Sequence, residues 1–548
     1  KIDLKGFLRR RFYRIVPPLV FMVLLVMPFT FLVRRDFIAG IGTQIAAVFG
    51  FVTNFYEMLS GGSYESQFIP HLFIHTWSLA LEVHYYVLWA LLAWFLGKKA
   101  KSVGQYRGYI FLSSTGLFLV TFLTFFVGAL VTKNLSNVYF SSIAHVFPFF
   151  VGSALATVTG ITTTSPNLTQ LVKKLSLQKT LAILAGAFLV LLVLTFILPF
   201  DSVWTYLFGF LVATLAASVM IVMTRVLHEK TPDQKEPAVI TFIADTSYGV
   251  YLFHWPFYII FSQLMGNLPA VILTIIFSYF FAILSFYIIE PLIAGKSNPL
   301  IRKISRLPHI KPISAGAAGI LTLITLIIIA VAPQVGAFET DLMVNGFKQA
   351  QTNIGQTKTL AEQAELSRLG ISEGTSLIGD SVALRANTAL QEALPEANIN
   401  AQVSRTTKQA NDIMLLNNQN KALLKTVVIA TGVNNPEGYK NDLDSIVNNL
   451  PKGHHLILVT PYEGDKSKDT YTSVEQYAAY ARELAEKNPY VSIADWNKVA
   501  KEHPEIWAGT DQVHFGNDSN MIEEGAKLYA ETIAAAVKAA QELPVKSK

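Results

Sequence analysis

Between Pro17 and Pro333 the chain repeats apolar runs of roughly 20 residues, the length an α-helix needs to cross a hydrocarbon core about 30 Å thick. A water-soluble globule cannot bury so many such runs, so this part of the sequence predicts a polytopic helical membrane domain. The runs fall near 17–33, 37–58, 73–96, 108–131, 138–160, 179–199, 203–224, 238–262, 268–289 and 313–332, which makes ten candidate spans. The 37 Phe and 21 Tyr suit the aromatic belts that such proteins place at the bilayer surface. After Glu339 the composition becomes that of an ordinary polar domain, although only 15% of the 548 residues are charged overall. The expected organisation is therefore a membrane domain over 1–335, a stalk or linker over 336–374, and a soluble domain over 375–548. Cysteine is absent, which excludes disulfides and thiolate metal sites.

Basic residues in short loops favour the cytoplasm. The loop with Lys98, Lys99, Lys101 and Arg107, the loop with Lys173, Lys174 and Lys179, the loop from Arg225 to Lys235, and the segment with Lys296, Arg302, Lys303, Arg306 and Lys311 are all placed inside. The alternate loops 59–70, 200–202 and 263–267 contain no Lys or Arg. This alternation puts the chain outside after its last span, so the soluble domain is expected to be extracytoplasmic. Strict alternation also puts the run Arg9-Arg10-Arg11-Phe12-Tyr13-Arg14 outside, against its preference. The segment 37–58, broken by Gly40 and Gly42 and carrying Asn54, is therefore expected to be re-entrant. The chain opens Lys1-Ile-Asp-Leu-Lys with neither Met nor a signal peptide, and a native N-terminus with a first membrane helix is expected to be missing.

From Thr375 the rhythm changes. Short β-rich runs at 375–378, 399–403, 426–430, 455–460 and 490–494 alternate with helical patterns at 383–394, 443–450, 474–486 and 521–543. That alternation predicts an α/β domain with a parallel sheet covered on both faces, and a site at the strand ends. Three motifs fall there. Gly379-Asp380-Ser381 follows the first strand and precedes a helix, where backbone N–H groups stabilise negative charge. Gly432-Val433-Asn434 follows the third strand, which offers the Asn434 amide to an oxyanion. Asp511-Gln512-Val513-His514 precedes the final helix, and its spacing lets Asp511 orient the imidazole while the other ring nitrogen takes the serine proton. A serine hydroxyl needs such a base to act as a nucleophile. Asp380 is read as shaping its turn, and His454, His455 and His503 as surface histidines.

The membrane half carries polar marks of its own. His75-Thr76-Trp77-Ser78-Leu79-Ala80-Leu81-Glu82 puts His75 and Glu82 seven apart, on one helical face. Ionisable groups at membrane depth are costly unless they line a cavity or pathway, although a His-Trp pair also serves as an interfacial anchor. Leu252-Phe253-His254-Trp255-Pro256 places a second His-Trp pair within a span, and Glu290-Pro291 closes the next. For His254 a packing role and a functional role stay equally open.

On these motifs residues 375–540 resemble the SGNH hydrolase family, whose blocks correspond to Gly379-Asp380-Ser381, Gly432-Val433-Asn434 and Asp511 to His514. The family's oxyanion glycine corresponds to Ser404 here, which is a departure. The resemblance implies Ser381, His514 and Asp511 as the catalytic set, with an oxyanion hole from the Ser381 amide, Asn434 and Ser404. Residues 1–335 resemble the acyltransferase-3 membrane family through their Trp-Ser-Leu-x-x-Glu and Leu-x-His-Trp-Pro patterns. That family's Arg-x-x-Arg motif matches Arg11 and Arg14, and its first helix, with a proposed catalytic His, has no counterpart in this sequence.

The combined architecture, a polytopic α-helical membrane domain followed by an α/β SGNH-hydrolase-like domain, is similar to the peptidoglycan O-acetyltransferases of Gram-positive bacteria. The resemblance implies that acetyl from cytoplasmic acetyl-CoA crosses the bilayer, loads Ser381, and reaches the C6 hydroxyl of N-acetylmuramoyl residues in peptidoglycan glycan strands, which hinders lysozyme. His75, Glu82 and His254 with Arg11 and Arg14 are candidates for the membrane step, and Tyr85, Tyr86, Tyr248 and Tyr251 for a covalent relay. No bound cofactor, metal or nucleic acid is expected. Two other classes share these features: a membrane-anchored extracytoplasmic carbohydrate esterase, and a transporter of acylated glycans with an accessory domain.

Overall fold

The computed structural model describes residues 3–60, 70–132, 134–161, 164–200, 202–295, 310–366, 371–466, 468 and 470–547, with 310–311 and 353–366 described by backbone alone. They form two units, Lys1–Gln334 and Val335–Lys548.

Seven helices of the first unit are long and apolar enough to cross a bilayer: Leu4–Leu32, Ile74–Lys99, Val103–Val131, Leu177–Ile197, Thr205–Lys230, Asn267–Ile293 and Pro312–Val331. The chain is thus a multi-pass membrane protein. Ala238–Ser262 is as long as these but more polar, carrying Asp245, Ser247 and His254. The outward faces are apolar, with Phe196 82% exposed, as suits a surface that faces lipid. Inside, Leu19, Met22, Val23 and Val26 of the first helix pack in one cluster with Phe253 and Phe257 of Ala238–Ser262. Phe29 meets Phe257, Phe277 and Phe281 edge-on at 5.3, 6.0 and 6.5 Å between ring centroids.

Three of the ten expected spans change. The first helix begins at Leu4 rather than near 17, so Arg9–Arg11 and Arg14 lie on it and not before it. Residues 37–58 do not form one helix. They make the short helices Ile41–Phe49 and Thr53–Leu59, separated at Phe51, whose φ of 53° breaks the helical path. Residues 138–160 divide into Leu135–Phe140 and Phe147–Thr159, the break falling before Pro148 at the start of the second helix. Loop 59–70 and the basic residues Lys296, Arg302, Lys303 and Arg306 lie wholly or largely outside the described residues.

The second unit is an α/β domain with a five-stranded parallel sheet: β1 Thr375–Gly379, β2 Asn398–Ala401, β3 Thr426–Ala430, β4 His455–Val459 and β5 Val491–Ala494. Their spatial order is β2-β1-β3-β4-β5. Strand order reverses between β1 and β3, the place where open α/β sheets form a crevice at the carboxyl ends of their strands. Helices cover both faces, with Trp496, Phe515, Tyr529 and Ile533 packed on one side and Met414, Leu443, Ile446 and Tyr477 on the other. The stretch expected to be a stalk starts instead as the helix Ala337–Leu366, whose first turns join the core of this unit through Phe338 and Leu342. Residues 367–370 lie outside the described part.

Candidate active site

Ser381 sits at the turn between β1 and the helix Ser381–Arg385. Gly379 is required there, because a Cβ at that position would stand 2.4 Å from the Ala383 Cβ. Asp380 caps the helix, its Oδ1 accepting from the Val382 N–H at 3.0 Å, which fixes the Ser381 backbone at the first helical position. The Ser381 N–H then has no acceptor within the helix and is available to an incoming anion.

The chain returns to this point 133 residues later. Ser381 Oγ and His514 Nε2 are 2.7 Å apart, and His514 Nδ1 and Asp511 Oδ2 are also 2.7 Å apart. An ionised carboxylate only accepts, so Nδ1 carries the proton and Nε2 presents its lone pair to the serine hydroxyl. The second Asp511 oxygen accepts from the N–H groups of Val513 (3.0 Å) and His514 (2.7 Å), which locks the loop. Burial opposes ionisation of Asp511, but the charge of His514 and these hydrogen bonds outweigh it and hold the carboxyl well below its usual range. Burial pushes Asp380 the other way, up to about 6, with the Val382 N–H, His514 and Arg405 only partly compensating.

The second and third loops converge on the first. Gly432 has φ +131°, and a Cβ there would fall 2.8 Å from Pro461 and 2.9 Å from Tyr477, so only glycine fits. The Asn434 amide donates to the Arg405 carbonyl at 3.2 Å, which leaves its second N–H for another acceptor. Arg405 is buried and donates to the Gly379 carbonyl at 3.0 Å and to Asn400, tying the loop after β2 to the strand that carries Ser381. Burial lowers the Arg405 guanidinium to about 10 against the raising effect of Asp380. Ser404 lies in the left-handed region at φ 61°, the backbone conformation that glycine takes most easily. Its side chain is thus an exception in a glycine-like setting. Arg405 and Arg385 were missed by sequence reasoning. The signal available for each was position: Arg405 adjoins Ser404, and Arg385 lies four residues beyond Ser381 on the same helix.

His454 and His455 are not surface residues. They are 2% and 3% exposed, because His455 opens the interior strand β4, His454 precedes it, and the C-terminal tail covers them, with the Lys546 N–H donating to the His454 carbonyl at 3.0 Å. His503 is partly exposed beside Glu505 at 2.7 Å.

In the membrane unit His75 and Glu82 are not partners. His75 is buried with its Nε2 at 3.0 Å from the Leu252 carbonyl and its ring 5.7 Å from that of His254. His254 Nδ1 lies 2.7 Å from the Tyr251 carbonyl. Tyr251 donates to the His75 carbonyl at 2.8 Å and meets Ser78 at 2.9 Å. Glu82 instead accepts from Tyr86, whose ring lies 4.6 Å from the Arg11 guanidinium. Arg14 pairs with Glu290 at 3.5 Å, and Tyr248 donates to the Ile15 carbonyl at 3.1 Å. Tyr85 bonds Ser153 and, with Trp89, Tyr106 and Arg107, lines a cavity of about 740 Å³. Among the described residues no three His, Asp or Glu side chains are grouped to hold a metal ion.

Residues 1–290 match the model of the acyltransferase-3 family, described as an acyltransferase domain. The O-acetyltransferase OatA of Staphylococcus aureus (strain MRSA252) is 26% identical over 544 residues, covering 94% of this chain and 84% of the relative. The solved C-terminal catalytic domain of Streptococcus pneumoniae peptidoglycan O-acetyltransferase A (OatA), with a methylsulfonyl adduct, is 77% identical. It covers 32% of this chain and 99% of its own, with a TM-score of 0.32. A lipase/acylhydrolase from Enterococcus faecalis is 15% identical, covering 32% of this chain and 100% of its own, with a TM-score of 0.25. With its family model spanning more than half of its length, this chain belongs to the acyltransferase-3 family.

Proposed function

We propose that the protein is a membrane-bound O-acetyltransferase that moves acetyl from cytoplasmic acetyl-CoA across the bilayer and passes it, through an acetyl-serine at Ser381, to the C6 hydroxyl of N-acetylmuramoyl residues of peptidoglycan. One observation carries the reading: a Ser381–His514–Asp511 array with both hydrogen bonds at 2.7 Å, in a chain whose other half is an acyltransferase-family membrane unit. A hydrolase alone needs no such unit. The S. aureus relative, aligned along 94% of this chain, is named an O-acetyltransferase. The acceptor follows from the resemblance to peptidoglycan O-acetyltransferases.

In this route Ser381 Oγ attacks the acetyl carbonyl while His514 Nε2 takes its proton and delivers it to the leaving group. Asp511 keeps the tautomer and stabilises the imidazolium. The Ser381 N–H and the Asn434 amide, with the Ser404 backbone, hold the oxyanion. The sugar hydroxyl then gives its proton to His514, attacks the acetyl-serine, and regenerates Ser381.

The soluble unit is extracytoplasmic in this reading. With 37–58 re-entrant, Phe147–Thr159 crossing as a short helix and Ala238–Ser262 also crossing, nine crossings run from a cytoplasmic Arg9–Arg14 to an outside Val335. That count removes the conflict between the basic cluster and the loop charges. Arg11 and Arg14 then lie on the acetyl-CoA side. A cysteine-free chain makes the test direct: Lys538→Cys, on the exposed face of the last helix, is expected to react from outside intact cells with a membrane-impermeant maleimide, and labelling only after lysis contradicts the placement. For the activity, Ser381→Ala is expected to abolish wall O-acetylation while the protein is still made and inserted. Retained acetylation rules out the serine route.

A further inference from the structure

Both nitrogens of His514 are engaged in the ring plane, Nε2 by Ser381 and Nδ1 by Asp511, so only the faces and the carbon edge of the imidazole remain for packing. Phe338, in the first turn of Ala337–Leu366, occupies part of that space. Its ring centroid is 4.9 Å from that of His514 with the planes at 67°, the edge-to-face geometry that aromatic rings favour. The Arg385 guanidinium lies over the same phenyl ring at 4.9 Å. Arg385 also donates to the carbonyls of Phe515 and Gly516, both at 2.9 Å, the two residues that follow His514.

The helix is fastened along one face. Asp341 pairs with Arg385 at 3.2 Å, Asn345 donates to the Arg385 carbonyl at 3.4 Å, and Gln349 makes two hydrogen bonds to the Ala401 backbone at 3.0 and 2.8 Å. Residues 338, 341, 345 and 349 are spaced three and four apart, as one helical face requires. Phe338 is thus held from a helix that belongs to neither the sheet nor the three motif loops, and Ser381 and His514 are only 0% and 2% exposed.

We propose that Phe338 is a positioning residue of the catalytic site: it holds the His514 ring and withholds water from the acetyl-serine, so that a bound sugar hydroxyl resolves it. The inference rests on the acetyl-serine route above. In that step the acceptor oxygen bonds to the acetyl carbon and its proton passes to Nε2. The bond from that carbon to Ser381 Oγ then breaks, and the serine oxygen takes the proton back. When water is the acceptor the same bonds form and break, and the product is acetate.

The full chain in detergent micelles, given 4-nitrophenyl acetate and a muramoyl-containing oligosaccharide, yields two products whose ratio reads this partition. Phe338→Ala keeps a strong helix former in place and is expected to lower the ratio of acetylated sugar to acetate by about three- to tenfold, and to shift the pH profile of ester turnover. Phe338→Tyr is expected to restore most of both. An unchanged ratio and profile in Phe338→Ala overturns the proposal. If the wild-type chain makes no acetylated sugar at all, it is the acetyl-transfer reading that fails. Phe338 is then judged by the rate at which a sulfonyl fluoride modifies Ser381, a reaction that needs His514 but no acceptor: a drop of about three- to tenfold supports positioning, and an unchanged rate overturns it.

Discussion

The two units handle polar chemistry in opposite ways. In the C-terminal unit, residues 133 apart converge on one crevice, and Ser381, His514 and Asp511 form a continuous hydrogen-bonded line. In the membrane unit the motif residues separate into small groups on different helices: His75 with His254 and Tyr251, Glu82 with Tyr86 and Arg11, Arg14 with Glu290. The contrast follows from the solvent. A sheet delivers its strand ends to one edge, where loops can assemble a site beside water. Within a bilayer each ionisable group must find a partner at its own depth, so the groups pair locally along the bundle. In the proposed route, acyl transfer at Ser381 then uses a single preorganised site, whereas supply from the membrane side is distributed.

Breaking the C-terminal line is expected to have the largest effect. Ser381→Ala or His514→Ala should reduce ester turnover and sugar acetylation in micelles by about 10⁴-fold or more. Asp511→Asn, which keeps the shape but favours the wrong tautomer, should cost about 10³- to 10⁴-fold in kcat. On the membrane side Arg14→Gln or Glu290→Gln is expected to lower wall acetylation in cells by about tenfold or more while leaving 4-nitrophenyl acetate turnover unchanged, because loss of this ion pair disturbs supply from the bundle and not the serine. If ester turnover falls with it, the separation of the two units is wrong.

How much of this was legible in the sequence depended on whether the signal was local. Ser381, Asn434, Asp511 and His514 stood out because each follows a β-rich run or precedes a helix, and the five strands lie where those runs do, within a few residues at their ends. The membrane domain was legible as a class from its apolar runs. Individual spans were less so, because hydropathy does not register the left-handed Phe51 that divides 37–58, or the break before Pro148. His454 and His455 were misplaced because burial under the Lys546 tail is a tertiary event. Phe338 was invisible for the same reason: nothing in a polar helix following a membrane span announces a ring against His514, 176 residues on.

Two smaller tests concern the framework. Asp511 and Asp380 should give opposite pH trends. The Asp511 carboxyl is held below its usual 3.8, so its contribution to stability is present above that pH and lost as pH falls further. The Asp380 carboxyl is raised to about 6, so its contribution is present below 3.8 and lost as pH rises through 6. Asp380→Asn retains a capping side chain and should abolish the second loss, on the order of 2–3 kcal/mol between pH 4 and 7, read by hydrogen exchange of β1 and β3 amides. Least of all, Thr406→Ala, which removes the capping box between Thr406 and Gln409, should cost the C-terminal unit about 1 kcal/mol in the same assay.

The relay itself is the central claim, and the acyl-enzyme is its direct witness. The full chain mixed with an activated acetyl ester and quenched in acid should yield one acetylated peptide, the one containing Ser381, on mass spectrometry. Adding a muramoyl oligosaccharide before the quench should discharge it with matching gain of acetylated sugar. Acetate release with no acetyl on Ser381, or an acetyl-serine that the sugar does not discharge, contradicts the account.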